Sequence, residues 1–366
     1  MKINSHNLSL TFQQSILNKS YELKSKQKQI LDLSSPSCMV GDNVFRNFIA
    51  DARIPANALF ERREISDSKM LQALKAVFLP NCPNSVQVVP VAGLSAMRSL
   101  LMMALEVDMF LVPVYSANSI NPLLALHGIR SDVFIHLDYL FSQALNLKGT
   151  AVVLNDDIHF GTEAVSAEKL YQLIVKLTEN GATVIFETGF SRLFHPHLYS
   201  TFHSEIAQLP NVVMLENTAE LLGIGGLQFG YIATNHAVLA NELRILTYHH
   251  GNIPNILSGI LLQKLLVSDK GLLLLAEYTN ICVSYIQENF KLIHNLNLLG
   301  TASIEEFGTK TIHVRVKSSE EDLLKSGIYA PKLAGFSFES NPITATKVNL
   351  SADPLIFKSY FEKATI

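Results

Sequence analysis

The chain has 366 residues, 48% of them hydrophobic and 17% charged, which suits a large layered domain with a smaller companion and excludes wholesale disorder. A net charge of −3, with no window holding five or more Lys or Arg, excludes the electrostatic footprint that a nucleic-acid backbone demands. The longest apolar stretch, Ser99 to Pro113, is broken by Glu106 and Asp108 and is too short to cross a bilayer, so no membrane partner is expected.

The first 54 residues are polar and broken by Ser34, Ser35 and Pro36, as in an arm or small-domain segment. Met1 to Gln13 lacks an apolar signal core, so a cytoplasmic location is expected. The basic stretch Lys19 to Lys28 reads as a solvated helix face. Cys38, Cys82 and Cys282 are widely spaced and outside any CxxC arrangement, which reads as reduced structural thiols.

From residue 55 the texture changes. Short β-branched runs (Val86 to Val91, Phe110 to Val114, Val133 to His136, Ala151 to Leu154, Thr183 to Glu187 and Val212 to Glu216) alternate with helical patterns at Leu94 to Leu105, Ser166 to Glu179 and Val238 to Tyr248. Such alternation predicts an α/β fold with a mostly parallel sheet between helices, over residues 55–250. Ligands bind such sheets outside the carboxyl ends of the strands, so the residues after each run are the candidates. Residues 251–366 read as a linker helix from Ile256 through Asn295, interrupted near Ser268 to Gly271, followed by a small α+β domain.

Four blocks carry a resemblance. Val89 to Leu100 is a strand, a glycine turn and a helix start. Asp108 to Tyr115 is a strand ending in Pro-Val-Tyr. Val152 to Thr162 and Thr183 to Leu193 pair an Asn-containing loop with a strand ending in Glu187. Asn211 to Tyr231 contains Gly223, Gly226, Gly230 and Tyr231 at close spacing. In order and interval these blocks resemble the class I/II aminotransferases of the fold-type I pyridoxal-phosphate-dependent superfamily, the aspartate aminotransferase-like family, across roughly residues 30–352.

The resemblance implies that fold, with a seven-stranded-type sheet, a cytosolic homodimer and a small-molecule substrate. It puts Gly93, Leu94 and Ser95 at the cofactor phosphate, where a glycine turn packing a helix on a sheet accounts for the motif equally well. Tyr115 falls near the cofactor ring, or is a half-buried packing residue. Asn155, Glu187, Phe190, Asn217 and Gln228 take the remaining cofactor positions, and Asn349 the substrate-carboxylate position.

Several of these residues depart from the family pattern. Glu220 stands at the Schiff-base lysine, Asn217 and Ala219 at two serines, Gln228 and Asn349 at two arginines, and Glu187 at the ring-nitrogen aspartate. No Lys occurs from His195 through Arg244, so the register cannot be slid to recover one. These exchanges lead the sequence reading to expect an anionic site that binds pyridoxal phosphate weakly or not at all, by about three decades.

Three readings follow. The first is a degenerate aminotransferase-fold protein, without transamination, that binds a small molecule or a partner in amino-acid or natural-product metabolism. The second is a pyridoxal- or pyridoxamine-phosphate enzyme with Glu220 as its base. The third is a pocket repurposed for a metal or cation, with Asp156, Asp157, His159 and His195 as its weak candidates.

Overall fold

In a computed structural model, residues 7–26, 29–52, 68–113, 116–134, 137–142, 146–156, 166–299, 311–332 and 346–364 are described. The chain opens with helix α1 (Asn7–Lys26), a two-residue strand β1 (Leu31–Asp32), helix α2 (Gly41–Ala50) and helix α3 (Ser68–Phe78). Strands β2 (Gln87–Val91), β3 (Met109–Pro113) and β4 (Arg130–Phe134) then alternate with helices α4 (Leu94–Ala104), α5 (Ala117–Leu126) and α6 (Leu137–Ser142). β5 (Thr150–Asn155), α7 (Ala167–Glu179), β6 (Thr183–Glu187), α8 (Ser191–Phe194), α9 (Pro196–Ile206), β7 (Val212–Glu216), α10 (Thr218–Leu221), β8 (Gly230–Thr234) and α11 (Ala237–His249) complete the α/β layer.

Strands β2 to β8 build one seven-stranded sheet in the order β2-β8-β7-β6-β5-β3-β4. β8 is antiparallel to both its neighbours and the other pairs run parallel. The central strands are buried along nearly their whole length, which is why they read as continuous β-branched runs. Alternate residues feed two separate cores. Val152, Leu154, Val184, Phe186, Val212 and Met214 join one, while Ala151, Val153, Ile185, Val213 and Leu215 join the other, which packs under α4, α5 and α11.

Beyond the sheet run α12 (Ile256–Val267) and the long α13 (Asp269–Asn295). Ser268 ends the first and caps the second, accepting a hydrogen bond from the Gly271 N–H at 3.0 Å, so the interruption expected near Ser268 is a helix boundary. Strands β9 (His313–Val316), β10 (Ile328–Tyr329) and β11 (Thr346–Asn349) follow. β9 and β11 form an antiparallel pair with Asn349 opposite His313 and Lys347 opposite Arg315. β1 pairs in parallel with β10, so the N-terminal segment is hydrogen-bonded to the C-terminal region. Among the described residues, no helix is long and apolar enough to cross a membrane.

The predicted strands and helices fall within a few residues of those observed. α9 begins at Pro196, inside the segment His195-Pro196-His197, and β8 lies within the glycine-rich block Asn211 to Tyr231 and just beyond it.

Candidate functional site at the carboxyl ends of the strands

β5 and β6 end in register with Asn155 beside Glu187. Both lie on the sheet face that carries α4. The turn between β2 and α4 is made by Gly93, whose φ of +84° suits glycine. It begins a helix with no side-chain cap, leaving the first backbone N–H groups unsatisfied within the helix. Leu94 is half-buried and Ser95 exposed beside this turn, and the Cα of Gln228 lies within 4.0 Å of where a Gly93 Cβ would stand.

The dominant interaction of the cleft comes from Arg98. From α4 its Nε and Nη2 each donate to one oxygen of Glu187, both at 2.6 Å, and its Nη1 reaches Ser119 Oγ at 3.3 Å. This is a forked, charge-assisted pair with little solvent access. The sequence reading missed Arg98, although it sits inside the first block. The available signal was helical spacing, since position 98 is four residues from Leu94 and shares its face.

β7 delivers Asn217 and then the short helix carrying Glu220. Burial pushes the Glu220 carboxyl above its ordinary value, opposed by Arg98, by a hydrogen bond from Asn217 and by Lys347. Ser37 approaches the same turn, its Oγ 3.1 Å from the place a Gly225 Cβ would take, with the Glu220 Cγ nearby. Gln228 adopts the left-handed region, with φ of +47°, and is exposed.

The anionic site expected from the sequence is therefore corrected. Glu187 is neutralised by Arg98, and Lys347 on β11 adds a second positive charge whose field reaches Glu220. Two carboxylates meet two cations.

Asn349 is fully buried and bound within the chain. Its Nδ2 donates to the carbonyls of Ser35 and Ser37, each at 2.9 Å, and its Oδ1 accepts from the Ser351 N–H and hydroxyl. Two donors and two lone pairs are thus spent, which corrects its expected place on a substrate carboxylate: Asn349 clasps the N-terminal segment. His313 assists, with Nε2 at 3.1 Å from the Ser35 carbonyl. Phe190 lies edge-on to His313, their centroids 6.2 Å apart, at the boundary between sheet and hairpin.

Asp156 is turned away from this cleft. It follows Asn155 and, by strand alternation, faces the opposite core. There it accepts hydrogen bonds from the Gly189 N–H and from His203, 3.1 Å away. Arg192 donates to His203 Nδ1 at 2.5 Å and pairs with Glu216 at 3.2 Å. Because Arg192 can only donate, Nδ1 accepts and Nε2 carries the proton toward Asp156. Burial, followed by the charge of Arg192, holds His203 well below its ordinary value and keeps it neutral.

His195 is exposed at the start of α9, so the structure does not gather it with Asp156. Among the described residues, no group of three or more His, Cys, Asp or Glu is arranged to hold a metal. Tyr115, Asp157 and His159 lie outside the described residues.

No protein-family model matches the sequence, and no curated protein matches it. Solved structures do match in shape. An aminotransferase from Mycobacterium tuberculosis superposes with a TM-score of 0.77 at 12% identity, over 99% of this chain and 96% of that one. An aspartate aminotransferase mutant from Thermus thermophilus gives 0.73 at 11% identity, over 100% and 97%. The histidinol-phosphate aminotransferase from Clostridium acetobutylicum gives 0.71 at 15% identity, over 92% and 98%. The chain has the fold of the pyridoxal-phosphate-dependent aminotransferases, as the four blocks led us to expect.

Pyridoxal phosphate is the group this fold implies, and the residues present do not fit it. Both oxygens of Glu187, the residue that the resemblance puts at the ring nitrogen, are already held by Arg98. Glu220, which the resemblance puts at the position of the aldehyde-binding amine, is a carboxyl and cannot form an imine.

Proposed function

We propose that this chain is an aminotransferase-fold protein that no longer performs Schiff-base transamination and holds a small molecule in its cleft by non-covalent contacts. The observation carrying this reading is the forked pair that Arg98 makes within the chain with Glu187, the residue that the resemblance puts against the cofactor ring. With both charges satisfied, the floor of the cleft suits a ligand of low net charge. Glu220, raised by burial, keeps its proton to higher pH than a solvated glutamate and can donate it in a hydrogen bond to a ligand oxygen or nitrogen. The uncapped start of α4 supplies further donors. Homodimerisation, implied by the resemblance, belongs to the same proposal.

Borohydride trapping tests this reading. Protein incubated with pyridoxal phosphate and then reduced is expected to carry no stoichiometric label and to show no imine absorbance band. A single stoichiometric label in the cleft, above all on Lys347, would mean that the amine has moved to another strand and that aldimine chemistry survives.

A further inference from the structure

The three cysteines, widely spaced in sequence, are not three isolated thiols. Cys38 lies between β1 and α2 and Cys282 near the middle of α13, 244 residues later, yet their sulfurs stand 3.0 Å apart. That is shorter than the roughly 3.5–4.0 Å of ordinary non-bonded contact and about 1 Å beyond a disulfide bond. Both residues are buried, whereas Cys82 is half-buried elsewhere.

The contact lies where three pieces of the fold meet. Segment 33–40 is pinned on both sides of Cys38. The Asn349 amide holds the Ser35 and Ser37 carbonyls, and the Met39 N–H donates to Ser351 Oγ at 2.8 Å. The Cys38 carbonyl presses on the turn after α10, where a Cβ on Gly223 would stand 2.2 Å from its oxygen. From α13, one turn before Cys282, Tyr278 donates to the Leu221 carbonyl at 2.6 Å. The sulfur pair therefore joins the N-terminal segment and the long helix directly beneath the turn that carries Glu220.

We propose that Cys38 and Cys282 are a dithiol that a hydroperoxide oxidises to an intrachain disulfide, stapling segment 33–40 to α13. Cys38 is the attacking sulfur. The hydrogen bond from Cys282 draws its thiol down to about 7, outweighing burial, whereas burial pushes the Cys282 thiol up. The Cys38 thiolate attacks one oxygen of hydrogen peroxide, the O–O bond breaks, and hydroxide leaves to give a sulfenic acid. The Cys282 sulfur then displaces that hydroxyl, which leaves as water with the Cys282 proton. Two thiol protons and two electrons thus pass to peroxide, which becomes two molecules of water.

Burial makes this reaction depend on local opening and shields the product from reductants. Because the bond closes a long loop, it also restricts the unfolded chain. The pairing rests on the sulfur geometry, with the thiol acidities deciding only which sulfur attacks, and it is independent of the ligand reading of the cleft.

The experiment uses the full chain with Cys82→Ser, in native buffer with hydrogen peroxide. Free thiols counted after unfolding are expected to fall from two to none, and unreduced peptide maps should join the Cys38 peptide to the Cys282 peptide. The cross-linked protein should melt higher, reversibly with dithiothreitol, and the further variant Cys282→Ala should show neither effect. Addition of oxygen to either sulfur without a cross-link, cross-linking between chains, or a bond that forms only in denaturant would overturn the proposal.

Discussion

Two polar networks sit at the carboxyl ends of the same strands, on opposite faces of the sheet. Arg98, Glu187 and Glu220 face the cleft, whereas Asp156, His203, Arg192 and Glu216 face the core beneath α7 and α9. Asn155 and Asp156 are neighbours in sequence, yet one faces the side of each network, because successive side chains of a strand point to opposite faces. Position after a strand is thus only half of an argument for a functional residue. The parity of that position supplies the other half. The core network is sealed, with the side chains of Asp156 and His203 fully buried, and its work is structural. The cleft network keeps Glu220 half-exposed and within the field of two cations.

This contrast can be broken experimentally. The largest effect is expected from Arg192→Met, which leaves Glu216 charged and buried without its partner and removes the cation lying over Phe78. A loss of about 3–5 kcal/mol is expected in chemical denaturation. Arg98→Leu strands Glu187 in the same way, in a pair slightly less buried than Arg192 and Glu216. About 2–3 kcal/mol is expected there, with most of it restored by adding Glu187→Leu. If the cleft variant proves the more damaging of the two, the assignment of structural and ligand-facing roles is reversed.

A smaller signature lies in the pH dependence. Burial pushes the Asp156 carboxyl up to about 7, against the hydrogen bond from Gly189 and the charge of Arg192. In the unfolded chain an aspartate releases its proton near pH 4. Between those values the folded state binds more protons, so the stability contributed by this group declines as pH rises toward 7 and levels off above it. Denaturation from pH 4 to 8 should show that decline, and Asp156→Asn should flatten it. An unchanged slope in the variant would assign the titration to another group.

Much of the fold was legible because it rests on periodicity. β-branched runs buried on both faces, helices between them and a glycine turn at Gly93 are local signals that tertiary packing reinforces. The site was less legible. Glu220 and Glu187 could be placed by spacing, but Arg98 could not be matched to Glu187, because their hydrogen bonds span 89 residues and no local pattern encodes the pairing. Asn349 misled for a related reason. Its exchange read as loss of a ligand contact, whereas in the fold its amide is saturated by Ser35, Ser37 and Ser351. The Lys347–Glu220 proximity likewise depends on how the β9–β11 pair sits against the sheet.

Whether the cleft can hold pyridoxal phosphate is decided by binding. Equilibrium titration with pyridoxal phosphate and with pyridoxamine phosphate should compare the native chain with the variant carrying Glu220→Lys and Gln228→Arg. The native chain is expected to bind both poorly, by about three decades against the variant, as loss of charge-assisted phosphate contacts and of the aldimine requires. Native binding as tight as the variant's would contradict the claim that this pocket has left pyridoxal-phosphate chemistry.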